Sequence, residues 1–216
     1  NLNLDVGTCN VMGTASSMAA IAEVLGFALP GSSFAESTRA ERREIAYRTG
    51  VEAVAAVKRQ QTPQDLISMN SLENAFRTVI ALGGSTNSVI HLEAIAGRAG
   101  LQIGLENFRV WSRTTPYVAN VRPGGELTLP ALAAAGGVPS ILARVAGVLN
   151  LDSTTATGTA WRDELQSAST SPSPAISEHD RAQGDHGSLV VLQGNLAPGG
   201  AILKTAGASD PALFSH

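Results

Sequence analysis

Three glycine-rich loops break the apolar periodicity of this chain, and they restrict it to short helices and strands joined at tight turns. They are the run from Gly7 to Gly13, Gly83-Gly84-Ser85-Thr86-Asn87, and Gly194-Asn195-Leu196-Ala197-Pro198-Gly199-Gly200. Small residues let a backbone approach a bulky group closely. None of the three has the spacing of a P-loop or a dinucleotide fingerprint, so nucleotide binding has no support.

Between the loops the pattern is mostly helical. A helix is expected from Thr14 to about Leu25, with Met18, Ile21, Ala22 and Leu25 at helical spacing and Gly26 as its stop. A second is expected from Arg39 to Gln61, and a third capped by Ser71 with Leu72, Phe76, Val79 and Ile80 on one face. A fourth runs from Ser88 to Ala99 and another from Leu105 to Thr114, followed by a strand-like Tyr117 to Val121. Two helical pieces flank Gly136-Gly137-Val138-Pro139, the second from Ser140 to about Val148, and a short helix lies near Trp161. From Gln166 to Gly187 the composition shifts to Ser, Pro, Ala, Asp and His, which reads as an exposed linker. Ser188 to Leu192 is a strand, and Ala201 to Lys204 starts another. The fold class is therefore α/β: a helix-rich unit over 1–165, a linker over 166–187 and the start of a β-rich unit over 188–216. The chain opens inside the strand-like Leu2-Leu4-Val6 and closes after a Gly/Ser/Pro-rich turn, so it reads as a segment of a longer protein.

Composition narrows the function. Hydrophobic residues make up 44% and aromatics 4%, so the core must be mostly Ala, Leu, Val and Ile. A net charge of −3 without a basic stripe argues against a nucleic-acid partner. No apolar run reaches the ~20 residues of a membrane span, no secretory signal pattern is visible, and a single cysteine excludes an internal disulfide framework. A cytoplasmic location is the expectation.

That one cysteine, Cys9, lies in Gly7-Thr8-Cys9-Asn10-Val11-Met12-Gly13-Thr14-Ala15-Ser16. Before a helix start, a thiolate is favoured, the form that binds metal or attacks a substrate. A buried, inert thiol in a tight strand-to-helix turn is the competing reading. Asn10 and Thr14 are candidate donors beside it. In the second loop, Ser85, Thr86 and Asn87 precede a helix whose free amides suit a carboxylate or phosphate; plain capping by Ser85 or Thr86 is compatible with that. The third loop reads as a hairpin turn between Val190 and Ile202, and Lys204 beyond it either places a charge near a site or is a solvated strand residue. His91 reads as a core residue, and His179 and His186, with Asp180 and Asp185 between them, as a solvated loop rather than a metal site.

Taken in order, these loops resemble the dihydroxy-acid and sugar-acid dehydratases. The Cys9 loop, followed by Leu25-Gly26 and Leu29-Pro30-Gly31, is similar to that family's third cluster-ligand segment. Ala81 to Leu92 resembles its GGSTN helix. Ala135-Gly136-Gly137-Val138-Pro139, Thr157-Gly158-Thr159 and Gly194-Asn195-Leu196-Ala197-Pro198 resemble further segments in the same order. The wording after Cys9 is nearer to the sugar-acid enzymes, which points toward an aldonate such as arabinonate or xylonate.

The resemblance implies a helix-rich, cluster-binding α/β domain followed by a β-barrel-like domain, assembled as a homodimer or dimer of dimers. It implies removal of water from a 2,3-dihydroxy acid to give a 2-keto acid. An iron–sulfur cluster, 2Fe-2S favoured over 4Fe-4S, acts as Lewis acid on the leaving 3-hydroxyl, and Mg2+ holds the carboxylate and 2-hydroxyl. Cys9 becomes one cluster ligand, and Ser85, Thr86 and Asn87 become substrate contacts. The family's first two cysteine segments, its Mg2+ ligands and its serine-base segment have no counterpart in this sequence. As given, the chain is expected to be inactive alone. The alternative is a catalytically inactive family-derived fragment or binding module that keeps the fold without a complete cluster.

Overall fold

The computed structural model describes residues 9–178, 180–181 and 187–208. Nine α-helices occur among them: α1 (Thr14–Val24), α2 (Ala40–Lys58), α3 (Pro63–Leu66), α4 (Met69–Leu82), α5 (Asn87–Arg98), α6 (Gly104–Thr114), α7 (Leu129–Ala134), α8 (Gly137–Arg144) and α9 (Trp161–Glu164). Two antiparallel strands follow, β1 (Leu189–Gly194) and β2 (Ala197–Lys204). The chain is thus a helix-rich α/β structure. The call on His179 and His186 lies outside the described residues.

Helix α4 is the axis of the packing. It meets α1, α5, α6 and α8, and Leu72, Phe76, Val79 and Ile80 on its expected face are all buried. Phe76 packs edge-on to Phe108 at 4.6 Å between ring centroids, and Phe108 in turn to Trp111 at 5.8 Å. These few aromatics sit in a core otherwise built of Leu, Ile, Val and Ala, as the composition requires. The α4 start is one turn earlier than expected. Ser68, not Ser71, is the cap: its hydroxyl accepts from the Ser71 amide at 3.1 Å, and the Ser71 hydroxyl accepts from the Ser68 amide at 2.9 Å. A serine can close both halves of this reciprocal box, so the periodic apolar residues alone placed the start too late. The helix ends at Gly83, whose φ of 67° is left-handed.

Other departures have local causes. Helix α8 begins at Gly137 and ends at Arg144, because Pro139 falls in its first turn, where a missing amide hydrogen costs nothing. The extended run Tyr117–Val121 is not a regular strand. Val118 and Ala119 both donate to the Ala81 carbonyl at 3.0 Å, and only single bridges join Ala119 to Ile176 and Val121 to Leu127. Those bridges bury Ala175 and Ile176, so the segment after Gln166 is not exposed throughout. His91 is exposed rather than in the core, because α5 turns Leu92 inward instead.

The third glycine-rich loop is a hairpin, with Val191 opposite Ile202 and Leu189 opposite Lys204. Asn195 and Leu196 alone form its turn, and Ala197 to Gly200 already belong to β2. Leu189 joins the helical core, and the Ser112 hydroxyl of α6 donates to the Leu189 carbonyl. This docking fixes where β2 places Lys204.

Candidate functional site

The Cys9 loop is held by backbone bonds on both sides. Leu129 donates to the Asn10 carbonyl at 3.0 Å, and Met12 donates to the Arg122 carbonyl at 2.7 Å. Cys9 itself is exposed, and its only printed contact is a weak 3.4 Å donation to the Val11 carbonyl. The buried, inert alternative is therefore excluded. The thiol opens on a cleft of about 170 Å3 lined by Ser16, Ser33, Phe34, Glu36 and Leu129 among others.

Beneath that cleft lies a residue the sequence reading missed. Glu23 of α1 is fully buried. Its Oε1 accepts from the Gly31 amide at 2.7 Å, and its Oε2 lies 2.9 Å from the Ser33 amide and 2.5 Å from the Ser33 hydroxyl. Burial, the dominant cause, pushes the carboxyl up to about 7 despite those bonds. The Ser33 hydroxyl also lies 2.9 Å from the Ala19 carbonyl. One hydroxyl hydrogen cannot serve both acceptors. A protonated Glu23 resolves this by donating to Ser33, which then donates to Ala19. Only the buried position of a glutamate among Ala, Ile and Val would have pointed to it in the sequence.

The second glycine-rich loop is brought onto the first by α1. The Ser85 amide donates to the Ser17 hydroxyl at 2.9 Å. The Ser85 and Thr14 hydroxyls are 3.0 Å apart, and Asn87 Nδ2 donates to Thr14 Oγ1 at 2.9 Å. Gly84 permits this approach: a Cβ there would stand 2.7 Å from Val79 Cγ1 and 2.9 Å from Ser17 Oγ. Ser85 also caps locally, accepting from the Asn87 amide at 3.2 Å. Thr86, half-buried, makes no side-chain cap bond. Thus Thr14, named beside Cys9 in the sequence, is the hinge between the two loops.

Two further groups converge here. Lys204 reaches back to the Cys9 loop, with Nζ 3.4 Å from the Met12 carbonyl; it is half-buried, which lowers its ammonium below the ordinary lysine range. Tyr117 is buried with its ring against Gly83, where a Cβ would come within 2.7 Å of Cε2. Its hydroxyl has no hydrogen-bond partner among the described residues, and the Arg181 guanidinium lies 5.4 Å from its ring centroid. Burial holds the phenol above its usual range, against the opposing pull of Arg181.

An exposed thiol flanked by small residues fits one ligand position of a metal centre. Among the described residues no three His, Cys, Asp or Glu side chains group to hold a metal ion, so this chain fits one position and not a whole centre. No helix among them is long and apolar enough to cross a membrane.

Known proteins match this arrangement along nearly its whole length. The chain is 41% identical over 212 residues to an L-arabinonate dehydratase of Rhizobium leguminosarum bv. trifolii, covering 97% of this chain and 36% of that protein. It is 37% identical over 208 residues to a dihydroxy-acid dehydratase of Geobacter metallireducens, covering 96% and 37%. A dihydroxy-acid dehydratase of Thermodesulfovibrio yellowstonii is 35% identical over 207 residues, at 96% and 38%. The chain thus spans little more than a third of the length of these relatives. The profile described as the dihydroxy-acid/6-phosphogluconate dehydratase N-terminal region matches residues 2–164. With the Cys9 loop and the Gly83–Asn87 loop joined through Thr14, the chain belongs to the dihydroxy-acid/6-phosphogluconate dehydratase family.

Proposed function

We propose that the protein carrying this chain is a hydro-lyase that removes water from a 2,3-dihydroxy acid, of the sugar-acid or branched dihydroxy-acid kind, to give a 2-keto acid. The observation that carries this reading is the junction at Thr14, which sets an exposed thiol's loop against a hydroxyl- and amide-bearing loop in a chain of this family. Cys9 holds one iron of an iron–sulfur cluster, 2Fe-2S favoured. When bound, the cluster supplies Lewis acidity at the 3-hydroxyl, and Mg2+ anchors the carboxylate and 2-hydroxyl.

The chain's own residues bind and orient. Asn87 and Ser85 already share Thr14 as a partner, so their polar atoms are set in place before substrate arrives, which reduces the ordering cost of binding. Thr86, with no side-chain cap bond, keeps its hydroxyl for a substrate oxygen. Glu23 holds the Gly31–Ser33 wall of the Cys9 cleft. We place the protein in the cytoplasm, where a free thiol stays reduced, and as a homodimer or dimer of dimers.

The test is anaerobic isolation of the protein, with iron and sulfide assays and 2-keto acid formation from L-arabinonate and from a branched 2,3-dihydroxy acid. Both cluster components and keto-acid formation are expected, and Cys9→Ser should lose both. A protein without iron or sulfide and without turnover would establish the inactive, family-derived alternative instead.

A further inference from the structure

The hairpin β1–β2 ends by delivering a lysine to the Cys9 loop, and nothing there answers its charge. The Lys204 stem lies along Gly207, with Cγ, Cδ and Cε each 3.6 Å from where a Cβ of that glycine would stand. The ammonium meets the Met12 carbonyl at 3.4 Å, one long contact for a group with three donors. No ion pair among the described residues includes it. Opposite it in the sheet is Leu189, a core residue, so the strand cannot rotate the lysine into water without exposing that leucine. Burying an ammonium this far without an acidic neighbour is unfavourable unless an anion completes the arrangement.

We infer that Lys204 is a further substrate-binding residue, whose ammonium pairs with the carboxylate of a small hydroxy acid bound against the Met12–Thr14 backbone. This rests on the dehydratase reading for the class of ligand, and on geometry alone for the need of an anion. Met12 is two residues from Thr14, whose hydroxyl bonds Ser85 and Asn87, so the lysine and those two residues address the same short stretch of backbone. The division of labour follows from charge. Ser85, Thr86 and Asn87 are neutral and suit hydroxyl oxygens, whereas Lys204 is the cation that a carboxylate requires.

The experiment compares wild type, Lys204→Met and Lys204→Arg in the complete protein. It measures calorimetric binding of glycerate, the smallest 2,3-dihydroxy acid, alongside thermal unfolding and turnover. Lys204→Met is expected to weaken glycerate binding about tenfold, the size of one lost charge-assisted hydrogen bond. Lys204→Arg is expected to keep most of the affinity, and both variants should unfold at the wild-type temperature. Salt should weaken the wild-type interaction and not the residual binding of Lys204→Met. Equal glycerate affinity in wild type and Lys204→Met, or no binding by wild type, would overturn the inference. The two readings fail separately. Loss of binding in Lys204→Met with a wild type that never dehydrates keeps the lysine's role and removes the hydro-lyase. Turnover with an unchanged KM in Lys204→Met keeps the hydro-lyase and removes the lysine.

Discussion

Helices α2 and α4 have similar credentials in the sequence and opposite fates in the fold. Helix α4 buries eleven of its fourteen residues and is met by helices on several sides. Helix α2 has nineteen residues and buries none, leaving Tyr47, Val51, Val54 and Val57 exposed. What separates them is the supply of partners. The cap at Ser68 and the left-handed Gly83 set the length of α4, and the apolar faces of α1, α6 and α8 then close around it. Helix α2 rests mainly on local terms, such as the Arg59–Glu52 ion pair just past its end, which contribute little each. The candidate site grows from the rigid helix: Gly83 to Asn87 follow directly from the C-terminus of α4. Loops that must hold hydroxyls within tenths of an ångström need such a base.

The strongest way to break this comparison is to truncate one aromatic on each helix. Phe76→Ala on α4 removes a ring that is 1% exposed and packed on Phe108, and should cost about 3–5 kcal/mol in denaturant unfolding. Tyr47→Ala on α2 removes a side chain that is 70% exposed, and should stay within about 0.5 kcal/mol. Equal losses would show that α2 is covered in solution.

A second test reaches α1, the helix packed on α4 that carries Glu23. The folded carboxyl is raised to about 7 from an ordinary value of 4.5. The unfolded chain therefore releases this proton at lower pH than the folded one. Stability from this group is whole below about pH 4.5 and is lost as pH rises toward 7, by up to about 3 kcal/mol in all. Unfolding free energies measured from pH 4.5 to 8 should fall across that window, and Glu23→Gln should flatten the curve. A wild-type profile as flat as that of the variant would show that Glu23 is ionised throughout.

Much of this was legible in the sequence because it was local. The spans of α1, α4, α5 and α6 follow from apolar spacing, the hairpin from its Gly/Pro/Asn turn, and the involvement of Cys9, Thr14 and Ser85 to Asn87 from their small-residue loops. What the sequence could not show depends on contacts distant along the chain. Thr14 meets Ser85 across 71 positions and Lys204 meets Met12 across 192. No periodicity encodes such pairs. Tyr117 was hidden for the same reason, since its burial depends on Gly83 being a glycine. Glu23 looked like an ordinary charged helix residue, and only the fold of Gly31 to Ser33 onto it makes it a buried anchor. His91 erred the other way, since apolar neighbours in sequence did not make an apolar face.

The cap distinguishes the two helices on a smaller scale. Ser68→Ala leaves the Ser71 amide without its side-chain acceptor, and should cost about 1 kcal/mol. Arg39, at the corresponding position of α2, makes no side-chain cap bond. Arg39→Ala should therefore register less than Ser68→Ala in the same thermal unfolding assay. A larger loss at Arg39 would mean that α2 has a tertiary anchor at its N-terminus.

The smallest effect should run in the opposite direction. Gly50 lies inside α2, and a Cβ placed there would meet no atom within 4 Å. Its φ is not left-handed, so alanine fits the native backbone, reduces the freedom of the unfolded chain and removes the cost of glycine in a helix interior. Gly50→Ala should stabilise the protein by about 0.5–1 kcal/mol, read as a rise in Tm. The same exchange at Gly84, beside the end of α4, forces a Cβ to 2.7 Å from Val79 and should destabilise instead. The sign change between two glycines in one chain is the comparison at its sharpest, because propensity decides where partners are absent and packing decides where they are present. A destabilised Gly50→Ala would place a close neighbour over α2 at that turn, and the helix would no longer stand apart from the packed core.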